Sequence, residues 1–125
     1  MTDTFKPIVY LKQHCPFCMK IRVFILEANL GAAVETRDFA SGTPQEEAIR
    51  AELAPQLSRV SFPAAQLQPG QYIAESDAIV ASLAQRFGRD PAAMPVYRNY
   101  VDGVLAALTR LWKENTDLKV AAITP

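Results

Sequence analysis

Two cysteines and one histidine are all that this 125-residue chain offers a soft metal ion. A structural zinc site needs four ligands, so zinc would require a second chain. An excess of charge is missing too, because thirteen Lys and Arg balance thirteen Asp and Glu. No global field therefore recruits nucleic acid or an anionic membrane surface. No apolar run has the length a bilayer span needs. Met1 to Lys6 is polar and lacks the apolar core and small-residue cleavage site of a secretory signal. These absences lead to the expectation of a cytoplasmic protein with neither a nucleic-acid nor a membrane partner. Internal repeats and low-complexity stretches are absent as well.

What is present is an ordinary globular composition, 50% hydrophobic and 21% charged. The length suits one domain whose core needs no staples. In a reducing compartment a Cys-x-x-Cys pair is seldom a passive cross-link. Closing a two-residue loop would also remove little chain entropy.

Local signals set the order of elements. Ile8 to Leu11 is a short apolar run, read as a buried strand. Pro16 opens a helical pattern in which Ile21, Phe24, Ile25 and Ala28 share a face, and Asn29-Leu30-Gly31 stops it. Val34 to Arg37 reads as a second strand, parallel to the first because a helix joins them. Thr43-Pro44-Gln45-Glu46 combines an N-cap, a proline at the first helical position and a capping-box glutamate, predicting a helix to about Leu53. Ala64 to Gln68 and Tyr72 to Ala74 form a hairpin around Pro69-Gly70, which suits a type II turn. Ser76 is the expected cap of a helix to Phe87, with Gly88 after it. The order β-α-β-α-β-β-α predicts an α/β, thioredoxin-like fold: a four-stranded mixed sheet flanked by helices, closing near Gly88. Pro91 starts a further C-terminal helix with an apolar stripe of Val101, Val104, Leu105, Leu108, Leu111 and Trp112. Thr116 to Pro125 shows no strong pattern.

Both cysteines lie in Tyr-Leu-Lys-Gln-His-Cys-Pro-Phe-Cys-Met-Lys, residues 10 to 20, at the junction of the first strand and first helix. Pro16 at the first helical position makes Cys15 the cap residue, beside unpaired helix amides. The positive end of the helix dipole favours thiolate over thiol there, and Lys12 and His14 stand nearby. Cys15 is therefore the expected nucleophile. Cys18 follows one turn deeper on the same face, close enough for a disulfide, and is the expected resolving thiol. Pro63, after Phe62, marks the start of the third strand, where an ordinary trans proline is the plain alternative. Glu75-Ser76-Asp77 opens the next helix. Capping alone explains it, but a free helix amide beside an acidic side chain also binds a carboxylate and an ammonium on one carbon, as in the γ-glutamyl end of glutathione.

His14-Cys15-Pro16-Phe17-Cys18 with Lys20 and Arg22, then Phe62-Pro63, then Glu75 to Val80, resemble the glutaredoxins. The likeness is to the glutaredoxin similar to the N-terminal domain of glutathione transferases, and it spans residues 7 to about 88. It divides the chain into residues 1–88, a thioredoxin-like domain of this kind, and 89–125, a C-terminal helical extension. The resemblance implies that Cys15 takes glutathione from a mixed disulfide and that Cys18 resolves it. It further implies a cis bond at Pro63, facing Cys15, that leaves the Phe62 backbone to pair with the cysteinyl part of glutathione. Glu75 and Ser76 would take the γ-glutamyl group, with Asp77 a lesser candidate, and Lys12 the glycyl carboxylate. Departures are the Glu-Ser pair where small glutaredoxins carry Gly-Gly, and only about 35 residues after Gly88, against a helical domain of about a hundred in two-domain relatives.

The activity implied is glutathione-dependent reduction of protein–glutathione mixed disulfides and protein disulfides, with no bound cofactor and glutathione as reducing co-substrate. Its partners would be glutathione and glutathionylated or disulfide-containing proteins. A cysteine-type glutathione transferase is the first alternative, and a non-catalytic glutathione-binding or dimerising module the second. An iron–sulfur cluster shared by two chains is disfavoured because Pro16 stiffens the loop beside Cys15. The C-terminal stripe is expected to fold back on the domain or to pair two chains as a homodimer.

Overall fold

A computed structural model describes residues 5–123. Four strands, β1 (Ile8–Lys12), β2 (Glu35–Phe39), β3 (Ala64–Gln68) and β4 (Gln71–Ala74), form one sheet in the order β2-β1-β3-β4. β1 runs parallel to β2 and antiparallel to β3, and β3 pairs antiparallel with β4. Helices α1 (Pro16–Glu27), α2 (Pro44–Leu53) and α3 (Ser76–Phe87) complete a thioredoxin-like fold, and a helical extension follows.

The sheet has a core on each face, which explains why β1 is apolar from Ile8 to Leu11 instead of alternating. Val9 and Leu11 point into the core shared with Ile21, Phe24 and Leu83 of α1 and α3. Ile8 and Tyr10 point the other way, into a smaller core with Phe39, Ile49 and Leu53. There the Tyr10 and Tyr72 hydroxyls both donate to Glu52, fastening α2 to the sheet.

Most local signals act as expected. The Thr43 hydroxyl accepts the Glu46 amide at 3.3 Å, while the Glu46 carboxylate accepts the Gly42 amide at 2.7 Å. Gly70 sits at φ +78°, the left-handed conformation a type II turn needs at that position. Other expectations need correction. β2 starts at Glu35 and reaches Phe39, because the Val34 amide closes a turn onto the Leu30 carbonyl and the parallel ladder continues to Lys12–Phe39. Glu75, not Ser76, is the cap of α3, at φ +78° with no side-chain capping bond, so Ser76 is already helical.

The extension is not one regular helix from Pro91. A 3₁₀ turn (Pro91–Ala93) ends at Met94, whose φ −102° and ψ 100° are extended. Proline at 95 imposes this, since its ring crowds an α-helical residue before it. Then come α4 (Pro95–Asn99), a π-helical segment (Tyr100–Leu105) and α5 (Ala106–Ile123). Thr116 to Ile123 are therefore helical, contrary to the reading of a patternless end; Thr124 and Pro125 lie outside the described residues. The wider π turn shifts the helical phase. Of the expected stripe Leu105 is buried and Val101 half-buried, whereas Val104, Leu111 and Trp112 are more than half exposed. The fold-back holds for the first part of the extension only. Glu27 of α1 accepts the Val96 and Tyr97 amides at 3.0 and 2.6 Å, and the Tyr97 ring packs edge-on against Phe24 at 5.8 Å. Among the described residues no helix is long and apolar enough to cross a membrane.

Candidate active site

The end of β1 delivers the chain to the N-terminus of α1, where both cysteines lie without a disulfide between them. His14 takes φ +61°, turning the chain so that Cys15, in extended conformation, becomes the cap. The Cys15 side chain makes no capping bond and is half-buried at the rim. Pro16 has no amide, so the open first turn presents the Phe17 and Cys18 amides and the positive helix end to the sulfur.

Cys18 is fully buried, and its sulfur accepts the Lys12 amide at 3.3 Å. Burial pushes its thiol up to about 12; the Lys12 amide opposes this, and the neighbouring Cys15 adds to it. The sign follows directly. An unfolded Cys18 ionises from about pH 9, whereas the folded one keeps its proton, so its contribution to stability is complete below that pH and is lost toward 12. The two thiols are thus unequal in access, and the inner one is held protonated, as their order along the helix implies. Iodoacetamide at pH 7 is expected to label Cys15 in the native protein and to reach Cys18 only after denaturation. Equal labelling of both in the native state would contradict the asymmetry.

A cleft of about 280 Å³ opens beside the pair. Phe17 and Lys20 of α1 form one wall, Phe62 and Pro63 another, and Glu75, Ser76 and Asp77 the third. The Phe62–Pro63 bond is cis, as the resemblance implies, and Pro63 is buried while Glu75 and Asp77 are exposed at the mouth. Five of the eight residues singled out from the sequence therefore line one cleft. Cys15, Cys18 and Lys12 do not line it: the cysteines stand at the adjoining helix end, and Lys12, half-exposed at the end of β1, contributes its backbone amide to Cys18.

Two residues beside the site carry no role in the sequence reading, although Lys20 belongs to the motif that bears the resemblance. Lys20, a residue only 5% exposed, donates its ammonium to the Ser76 hydroxyl at 3.2 Å and to the Asp77 carboxylate. Its signal was available, since Lys20, Phe24 and Ala28 recur every fourth residue and so share the inward face. Tyr100 donates its hydroxyl to the Pro16 carbonyl at 2.6 Å. Burial, and to a lesser degree the nearby Cys15, push its hydroxyl's pKa up, so that it keeps its proton. No local pattern could have shown that contact, because 84 residues separate the partners. A second, apolar cleft of about 330 Å³ lies between Pro16 and Leu108, Leu111 and Trp112 of α5. No group of three or more potential metal ligands occurs among the described residues.

Residues 10–91 match the family model described as "Glutathione S-transferase, N-terminal domain". Among solved structures the chain is similar to a possible glutathione S-transferase from Rhodopseudomonas palustris, at 21% identity and a TM-score of 0.49. That match covers 64% of this chain and 39% of the other. It is also similar to glutathione transferase Omega 2C from Trametes versicolor, at 20% identity and a TM-score of 0.49, covering 74% of this chain and 40% of the other. The chain thus spans about two-fifths of the length of these two proteins. No curated protein matches it.

Proposed function

The chain belongs to the glutathione S-transferase N-terminal domain family, and from that premise we propose that it is a glutathione-dependent thiol–disulfide oxidoreductase of the glutaredoxin type. The observation that carries this reading is the inequality of the two thiols, Cys15 open at a helix N-terminus and Cys18 buried one turn behind it. In the first step the Cys15 thiolate attacks the glutathione sulfur of a protein–glutathione mixed disulfide. The S–S bond breaks, the protein leaves as thiolate, and Cys15 becomes glutathionylated. A second glutathione thiolate then attacks that adduct, releasing glutathione disulfide and returning Cys15 as thiolate. With a protein disulfide as substrate, Cys15 attacks one sulfur to form a mixed disulfide. Cys18, losing its proton, then attacks Cys15, so that the protein leaves as a dithiol and a Cys15–Cys18 disulfide remains for two glutathiones to reduce.

In this reading the glutathione backbone lies along Phe62 and Pro63. Glu75 faces the γ-glutamyl ammonium, the amides at the start of α3 face its carboxylate, and Asp77 contributes negative charge at the mouth. Lys12 is the candidate for the glycyl carboxylate. Glutathionylated or disulfide-bonded proteins would be the partners, in a cytoplasmic setting. The exposed Val104, Leu111 and Trp112 face would be the contact of a homodimer; a light-scattering mass of a single chain at high concentration would exclude that pairing.

One observation favours a second reading, a cysteine-type glutathione transferase. The apolar cleft beside Pro16 is a place where an apolar electrophile could approach Cys15-bound or cleft-bound glutathione. Turnover of a small glutathione mixed disulfide, compared with conjugation of an aromatic chloride, separates the two. The first reading expects the reduction to dominate. Conjugation without reduction would replace it with the second, and the absence of both would leave a binding module.

A further inference from the structure

Among the described residues, Lys20 is the one charged side chain that is buried. An ammonium taken out of water is costly unless paired. Its partner here is unusual, because the Asp77 side chain is 94% exposed while that of Lys20 is 6% exposed. A carboxylate standing in water is a weakly held partner, since water competes for it. Two of the three ammonium N–H donors go to Asp77 and to the Ser76 hydroxyl. The cation forms part of the wall of the 280 Å³ cleft, next to the first turn of α3. There the unpaired helix amides add positive potential of the same sign.

An anion entering this cleft thus meets a buried cation and a helix N-terminus together, with the Glu75 carboxylate at the mouth. That is a receptor for a carboxylate with an ammonium close by. We propose that Lys20 is the carboxylate-binding residue of this cleft, exchanging Asp77 for the α-carboxylate of a γ-glutamyl thiol. It thereby makes the site select γ-glutamyl thiols over thiols that lack that charge. The proposal rests on the reading of the cleft as a glutathione site. The competing role is structural: Lys20 pins α3 to α1 and touches no ligand.

The two roles separate when the ligand is altered together with the protein. The probes are S-methylglutathione and its analogue in which the γ-glutamyl α-carboxylate is a carboxamide, with binding followed by calorimetry. Wild type should prefer the carboxylate form. Lys20→Met should weaken it by about 10- to 100-fold, the usual cost of losing a charge-assisted bond, and leave the carboxamide form nearly unchanged. Lys20→Gln removes the charge but keeps a donor for Ser76 and Asp77, and it should show the same contrast if Lys20→Met folds poorly. Lys20→Arg should keep the preference. Equal weakening of both ligands, or no weakening, would overturn the role of Lys20 while leaving the glutathione site standing. A wild-type protein that binds neither ligand would overturn the glutathione reading and this proposal with it.

Discussion

Cys15→Ser is expected to lower turnover of a glutathione mixed disulfide by roughly 10³-fold or more, since a hydroxyl cannot replace the attacking thiolate. Cys18→Ser is expected to keep most of the activity, because a second glutathione can resolve the adduct. The reason lies in the geometry. Cys15 meets solvent at the helix end, whereas Cys18 is enclosed and its thiol is pushed up to about 12. At neutral pH Cys18 is protonated and cannot start the reaction; it acts only on a disulfide already formed beside it. Stopped-assay rates for the two variants, with circular dichroism to confirm folding, read this directly. Equal loss in both would mean an obligatory dithiol route and remove the monothiol step.

Phe24→Ala is the second large effect, and it bears on how the extension is attached. Phe24 is fully buried between the sheet and α3, and its ring also meets Tyr97 of α4 edge-on. Truncating a buried Phe to Ala costs about 3–5 kcal/mol, part transfer and part residual cavity. Urea unfolding should show a loss of that size. The same cavity removes one of the anchors of α4, leaving the Glu27 bonds to the Val96 and Tyr97 amides. Proteolysis between residues 88 and 95 should therefore accelerate more in this variant than in Leu53→Ala. Leu53 is equally buried but lies in the core on the opposite face of the sheet. Equal acceleration in both would mean that the extension opens only with the whole fold.

The order of elements was legible because its signals are local. Pro16, the Thr43-to-Glu46 capping segment, Pro69-Gly70 and Gly88 each act within a turn of their own position. Much of the cleft was legible for a related reason, as the sheet order brings the strand entry at Pro63 and the start of α3 to the same end as Cys15. The extension was read less well. The apolar spacing after Pro91 suits a continuous helix, but the ring of Pro95 disfavours one at Met94, and the turn widens through Tyr100 to Leu105. Lys20 stands in the motif, but nothing local assigns it a role. Its burial depends on Ser76 and Asp77, more than fifty residues away.

The central claim is that Cys15 exchanges its thiolate with a glutathione disulfide. It is tested most directly by intact-mass and peptide mapping of the Cys18→Ser variant after brief treatment with a small glutathione mixed disulfide. The account expects one glutathionyl group per chain, on Cys15, removed again by free glutathione. A chain that stays unmodified under those conditions, with Cys15 still free to alkylate, would contradict it.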